Sequence, residues 1–93
     1  MSQELKRTAN SLKMQIHDLT PSRANIGTLK FQIQKLIDTL IQINSEESLV
    51  AKDSLLHLIE QEIHIVEKSK DEESLLKNFK SAQAMADVDF SGI

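Results

Sequence analysis

Five residues in the second half of the chain have the types and the spacing to do chemistry. Asp53, His57, Glu60, His64 and Glu67 step by 4, 3, 4 and 3, so on a helix they fall on one line. Imidazole and carboxylate groups one turn apart can share a metal ion, and di-metal bundles use Glu and His three residues apart. Such bundles also need ligands from facing helices. The first half of the chain offers only Glu4, His17, Asp18 and Asp38, without a second Glu-x-x-His pair. The simpler reading is a polar row at the edge of a helix, with His57 and His64 held by acids at i±4. His57, Glu60 and His64 remain the metal candidates, and the expectation is neither metal nor cofactor.

Catalysis has little to stand on. The sequence has no Gly-rich phosphate loop and no nucleophile-elbow serine. With no cysteine, thiol nucleophiles, thiolate metal sites and disulfides are excluded. Ser45, Ser48 and Ser69 sit where helix caps and first turns need hydroxyls. No catalytic residue is assigned, and the expectation is a protein that is not an enzyme.

Apolar residues lying off the regular stripes point to binding instead. Met14, Phe31, Leu55, Leu58, Ile65, Val88 and Phe90 exceed what those stripes need. Large apolar groups left at a surface mark contacts with other chains. The candidates for a protein interface are Met14, Phe31, Leu55, Leu58 and Ile65, with Phe90 and Ile93 in the tail. The two tail residues either anchor in a partner's groove or cap the end of their own bundle.

The elements that must position these residues are helices. The chain has 93 residues, 40% hydrophobic and 27% charged, with only two Gly and one Pro. That length supports one domain, and the scarcity of turn residues excludes a β-sandwich. Leu5, Ala9, Leu12, Ile16 and Leu19 step by 4, 3, 4 and 3 and predict a first helix over 4–19. Thr20-Pro21 offers a cap followed by a proline at the first helical position, predicting a second helix over 21–44. Its stripe is Ile26, Leu29, Ile33, Leu36, Leu40 and Ile43, widened by Ile37 and Ile41. A stripe broadened in this way suits a helix with two neighbours.

Beyond Ile43 the same phase lands on Glu47, Val50 and Ser54. Asn44-Ser45-Glu46-Glu47 also has the form of a helix start. A turn is therefore predicted at 44–45, against the alternative of one helix running through. A third helix over 46–68 carries the stripe Leu49, Leu56, Ile59, Ile63 and Val66, flanked by Leu55, Leu58 and Ile65. Ser69-Lys70-Asp71-Glu72 has the capping-box pattern and predicts a fourth helix over 70–86. Residues 87–93 follow as a flexible or docking tail. The expected fold is a single all-α domain over 1–93, an antiparallel bundle of three or four helices, with dimerisation as a way to complete it.

The net charge of −3 argues against nucleic acid, whose phosphates demand a basic face. The total conceals an asymmetry. Residues 1–44 hold six bases and three acids, net +3, while residues 45–93 hold five bases and eleven acids, net −6. Oppositely charged halves each suit a complementary helical surface, in the same chain or another. No run reaches the ~18 apolar residues of a membrane span, and the polar start lacks a signal-like apolar region. The expected location is therefore the cytoplasm. The expected function is a non-enzymatic protein–protein interaction module: an adaptor, chaperone or inhibitor subunit acting as a homodimer or hetero-oligomer. A small metal-binding bundle built on the acid–His line, and a purely structural coiled-coil oligomerisation segment, are the alternatives.

Overall fold

The computed structural model of the chain describes residues 2–89. Helix α1 is Ser2–Asp18 and α2 is Ile26–Ile43, preceded by a 3-10 turn at Arg23–Asn25. Helix α3 spans 46–68 and has three parts. These are a regular stretch Glu46–His57, a π-helical turn Leu58–Ile63 and a final α segment His64–Lys68. Helix α4 is Glu72–Met85. There is no strand among the described residues. The second helix begins at Ile26 rather than Pro21. Asn25 and Gly27 are poor helix formers, and the Asn25 amide instead donates to the Thr20 carbonyl at 2.8 Å.

The four helices make an antiparallel bundle, 44 by 20 by 17 Å, in which α1 packs on α2, α2 on α3, and α4 on α3 and α1. The α2 stripe behaves as its spacing predicts. Ile26, Leu29, Ile33, Leu36, Ile37 and Leu40 are all buried. They meet Ala9, Leu12 and Ile16 of α1 and Leu75, Phe79 and Ala82 of α4 in one core.

The chain turns back at Asn44, the one non-glycine residue with positive φ among the described residues (φ 56°, ψ 39°). Asparagine tolerates that left-handed conformation, and here it ends α2. Ser45 then starts α3 through a reciprocal cap. Its hydroxyl accepts from the Ser48 N–H at 3.1 Å, and the Ser48 hydroxyl accepts from the Ser45 N–H at 2.8 Å. Ser48 is fully buried, and its own hydroxyl donates to the Ser45 carbonyl at 2.9 Å.

The start of α4 departs from expectation. Asp71, not Ser69, is the cap, and its carboxylate accepts from the Ser74 N–H at 2.9 Å. That hydrogen bond holds the Asp71 pKa below the usual carboxylate value. Ser69 is engaged elsewhere. Its hydroxyl donates back to the Ile65 carbonyl at 2.9 Å and accepts from Asn78, and its carbonyl accepts from Arg23 at 2.7 Å.

Two further long-range ties fasten the end of α4 and the chain beyond it to α1. The Gln83 amide donates to the Ile16 and Leu19 carbonyls at 2.9 and 2.6 Å, capping the open end of α1. Lys13 bridges the Asp87 carboxylate at 3.1 Å and the Val88 carbonyl at 2.7 Å. The chain after α4 is thus fastened to α1 as far as Val88, whose side chain lies on the core.

Candidate functional site

The exposed apolar residues do not all fall where the sequence puts them. Met14 (67% exposed), Phe31 (62%) and Ile65 (47%) stand at the surface as expected. Leu55 and Leu58 do not, being 0% and 3% exposed, and they leave the set of interface candidates. Their burial has a local cause. The Ser45–Ser48 cap turns Ser48 inward, and Ala51, Leu55 and Leu58 follow it at steps of 3, 4 and 3. Leu49, Leu56 and Ile59 of the expected stripe are only half-buried, whereas its Ile63 and Val66 are buried.

Ile41, Val50 and Met85 are exposed as well and were not singled out by sequence. Ile41 widened a core stripe, and Val50 fell on the failed extension of that stripe. Phe90 and Ile93 lie outside the described residues.

The acid–His line is exposed along its whole length. Asp53 pairs with its neighbour Lys52 at 2.8 Å, and Glu67 approaches Lys30 of α2 at 3.9 Å. The π turn interrupts the line between His57 and His64, so the heptad spacing no longer keeps all five residues on one row. Among the described residues no three His, Asp or Glu side chains converge to hold a metal ion.

Two surface grooves carry opposite character. Between α3 and α4, a groove of ≈ 590 Å³ is lined by Asp53, Ser54, His57, Leu58, Glu62 and Met85. Between α1 and α2, a groove of ≈ 390 Å³ is lined by Arg7, Thr8, Ser11, Gln15, Lys35 and Thr39, over the buried Leu12. The second groove has two cations in its lining and no carboxylate. Thr8 and Thr39 donate back to the carbonyls of Glu4 and Lys35 at 3.0 and 2.9 Å. Gln32 of α2 donates to Gln15 at 3.5 Å, and Gln15 donates to Ser11 at 3.3 Å. Neither Arg7 nor Lys35 belongs to an ion pair among the described residues. The Lys35 ammonium stands 5.4 Å from the ring centre of Phe31, within cation–π range. Sequence reading found Phe31 alone. Arg7 and Lys35 are brought together only by the antiparallel register of α1 and α2, which no local pattern encodes.

No described helix is long and apolar enough to cross a membrane. Comparison with protein-family models, curated proteins and solved structures finds no match to this chain.

Proposed function

We propose that this chain is a non-enzymatic protein–protein interaction module: an adaptor, chaperone or inhibitor subunit that works as a homodimer or as part of a hetero-oligomer. One observation carries the reading. Among the described residues, six large apolar side chains, including Met14, Phe31 and Val50, stay exposed around a core that is already closed. A stable four-helix fold does not need them there, whereas a partner surface would cover them. The opposite charges of the two halves would add orientation and faster encounter rather than affinity.

The test is a pull-down of the full chain from extracts of its own host, with bound proteins identified by mass spectrometry. A variant carrying Met14→Ser, Phe31→Ser and Ile65→Ser serves as the control. The expected result is a protein retained by the wild type and lost from the variant. A chain that retains nothing selectively and sediments as a clean 10.5 kDa monomer would reject the proposal.

A further inference from the structure

We infer that the groove between α1 and α2 is a docking site for an acidic amphipathic helix of another protein. This rests on the interaction reading above and names the surface and the chemistry of its occupant. Arg7 and Lys35 line the groove from opposite walls, and no acidic side chain joins them in its lining. Neither cation is neutralised by an ion pair among the described residues, whereas Lys13, Lys30 and Lys52 each pair with an acid. The lining thus offers two cations and no acid, which an incoming carboxylate can satisfy.

Charge alone would give a weak and unselective contact. Phe31 adds the apolar anchor. It is 62% exposed on the outer face of α2, next to the groove's own Lys35. Aromatic side chains and arginine are enriched at protein interfaces, and Phe31 stands one turn from the groove's Lys35. A helix presenting Glu or Asp on one line and Leu or Ile on the next would meet the cations and the ring together.

The same acidic character exists in this chain's α3, which makes a second copy the natural competitor for the site. Geometry disfavours it. Asp53 of α3 already pairs with Lys52 at 2.8 Å and Glu67 approaches Lys30 at 3.9 Å, and the helix's apolar residues Leu55, Leu58, Ile63 and Val66 are buried in its own core. A folded second copy would therefore offer the groove acids without the main apolar line beside them.

The probe is a fluorescein-labelled synthetic Leu/Glu amphipathic helix of about five turns (~18 residues), titrated with the full chain and followed by anisotropy. A Leu/Lys peptide with the same apolar pattern is the control. The acidic peptide should bind roughly tenfold or more tightly than the basic one, and lose that preference as salt is raised to about 0.15 M and beyond. Arg7→Glu with Lys35→Glu should abolish the preference. Phe31→Ala should weaken the acidic peptide by roughly tenfold. All three positions are exposed, and circular dichroism checks that the variants stay helical.

Equal binding of the two peptides, or no binding of the acidic one up to millimolar chain, would overturn the inference. So would displacement of the peptide by millimolar inorganic phosphate, the mark of a small-anion site. If sedimentation shows self-association that Arg7→Glu with Lys35→Glu dissolves, the occupant is a second copy and the assignment to another protein falls. Peptide binding that fails while the pull-down partner is retained removes the groove and leaves the interaction reading standing.

Discussion

Helices α2 and α3 lie side by side, joined by two residues, and they keep phase with the core in different ways. Along α2, buried residues recur at steps of 3 and 4 from Ile26 to Leu40, and one regular helix suffices. Along α3, Ser48, Ala51, Leu55 and Leu58 recur in the same way, and then the next buried residue is Ile63, five positions on. A regular helix continuing from Leu58 would turn Glu62 to the core and Ile63 away from it. The π turn absorbs one extra residue at this point, so Ile63 and Val66 are buried and Glu62 is only half-buried. The difference shows that α3 carries two apolar registers one residue apart. One is fixed by the cap at Ser45 and Ser48, the other by the packing of α4.

Single-residue deletions break this comparison most sharply. Deleting exposed Gln34 rotates Leu36, Ile37 and Leu40 by roughly 100° away from the core. It should abolish folding, since a domain of this size has only about 5–15 kcal/mol in hand. Deleting exposed Gln61 removes the extra residue of the π turn and leaves Leu58 and Ile63 at α-helical spacing. That variant should stay folded within about 1–2 kcal/mol of the wild type. Urea denaturation followed by circular dichroism compares the pair. Equal damage from the two deletions would mean that the π turn is not what joins the registers.

Core truncations test the same assignment at a smaller scale. Leu40→Ala and Leu55→Ala each remove a fully buried side chain and should cost about 2–5 kcal/mol. Leu56→Ala removes a half-buried one and should cost clearly less than Leu55→Ala, about 1–2 kcal/mol. If Leu56→Ala proved the more damaging in urea, the lower half of α3 would face the core through the register that the sequence suggests.

What the sequence reveals divides along the same line. The course of α2 and the turn at Asn44 are legible because Ile and Leu repeat in a single phase that ends beside a left-handed residue. The lower half of α3 is misread because Leu49, Leu56 and Ile59 look more hydrophobic than Ser48 and Ala51. The buried line there is chosen by a hydroxyl pair and a small side chain, not by apolar bulk. Leu55 and Leu58 were consequently expected outside. At α4, Ser69 and Asp71 both have capping chemistry, and the choice depends on contacts with Ile65, Arg23 and Asn78 that lie outside the motif. The acid–His line is legible as a row but not as a site, since ligation needs a facing helix to contribute. The Arg7–Lys35 groove is invisible to local patterns, because it depends on how α1 and α2 slide past each other.

The cap that sets the register of α3 gives a third prediction. Ser48→Ala deletes both hydrogen bonds made by a buried hydroxyl and leaves the Ser45 N–H without its acceptor. A loss of about 0.5–2 kcal/mol is expected, the range for N-cap removal. Ser54→Ala, on the exposed side of the same helix, should stay within about 0.5 kcal/mol of wild type. Urea midpoints for the two variants measure this. A Ser48→Ala protein as stable as Ser54→Ala would show that Ala51 and Leu55, rather than the cap, choose the register.

The cap of α4 is charged where that of α3 is neutral, and this predicts the smallest effect. The hydrogen bond from Ser74 lowers the Asp71 pKa in the folded chain below 3.8. A carboxylate with a depressed folded pKa contributes stability above its unfolded pKa. It loses that contribution as pH falls through the folded value. Asn caps a helix about as well as Asp but does not titrate in this range. Asp71→Asn should therefore lose less stability than the wild type between neutral pH and about pH 2, every other acid being common to both chains. Ser45 and Ser48 cannot titrate, so Ser48→Ala should shift stability by the same amount at each pH. Urea midpoints measured across that range decide the matter. Parallel curves for wild type and Asp71→Asn would show that the Ser74 hydrogen bond does not favour the ionised carboxylate. A gap that opens toward low pH, the wild type falling below Asp71→Asn, would locate the titrating cap at α4 and leave the start of α3 independent of acid.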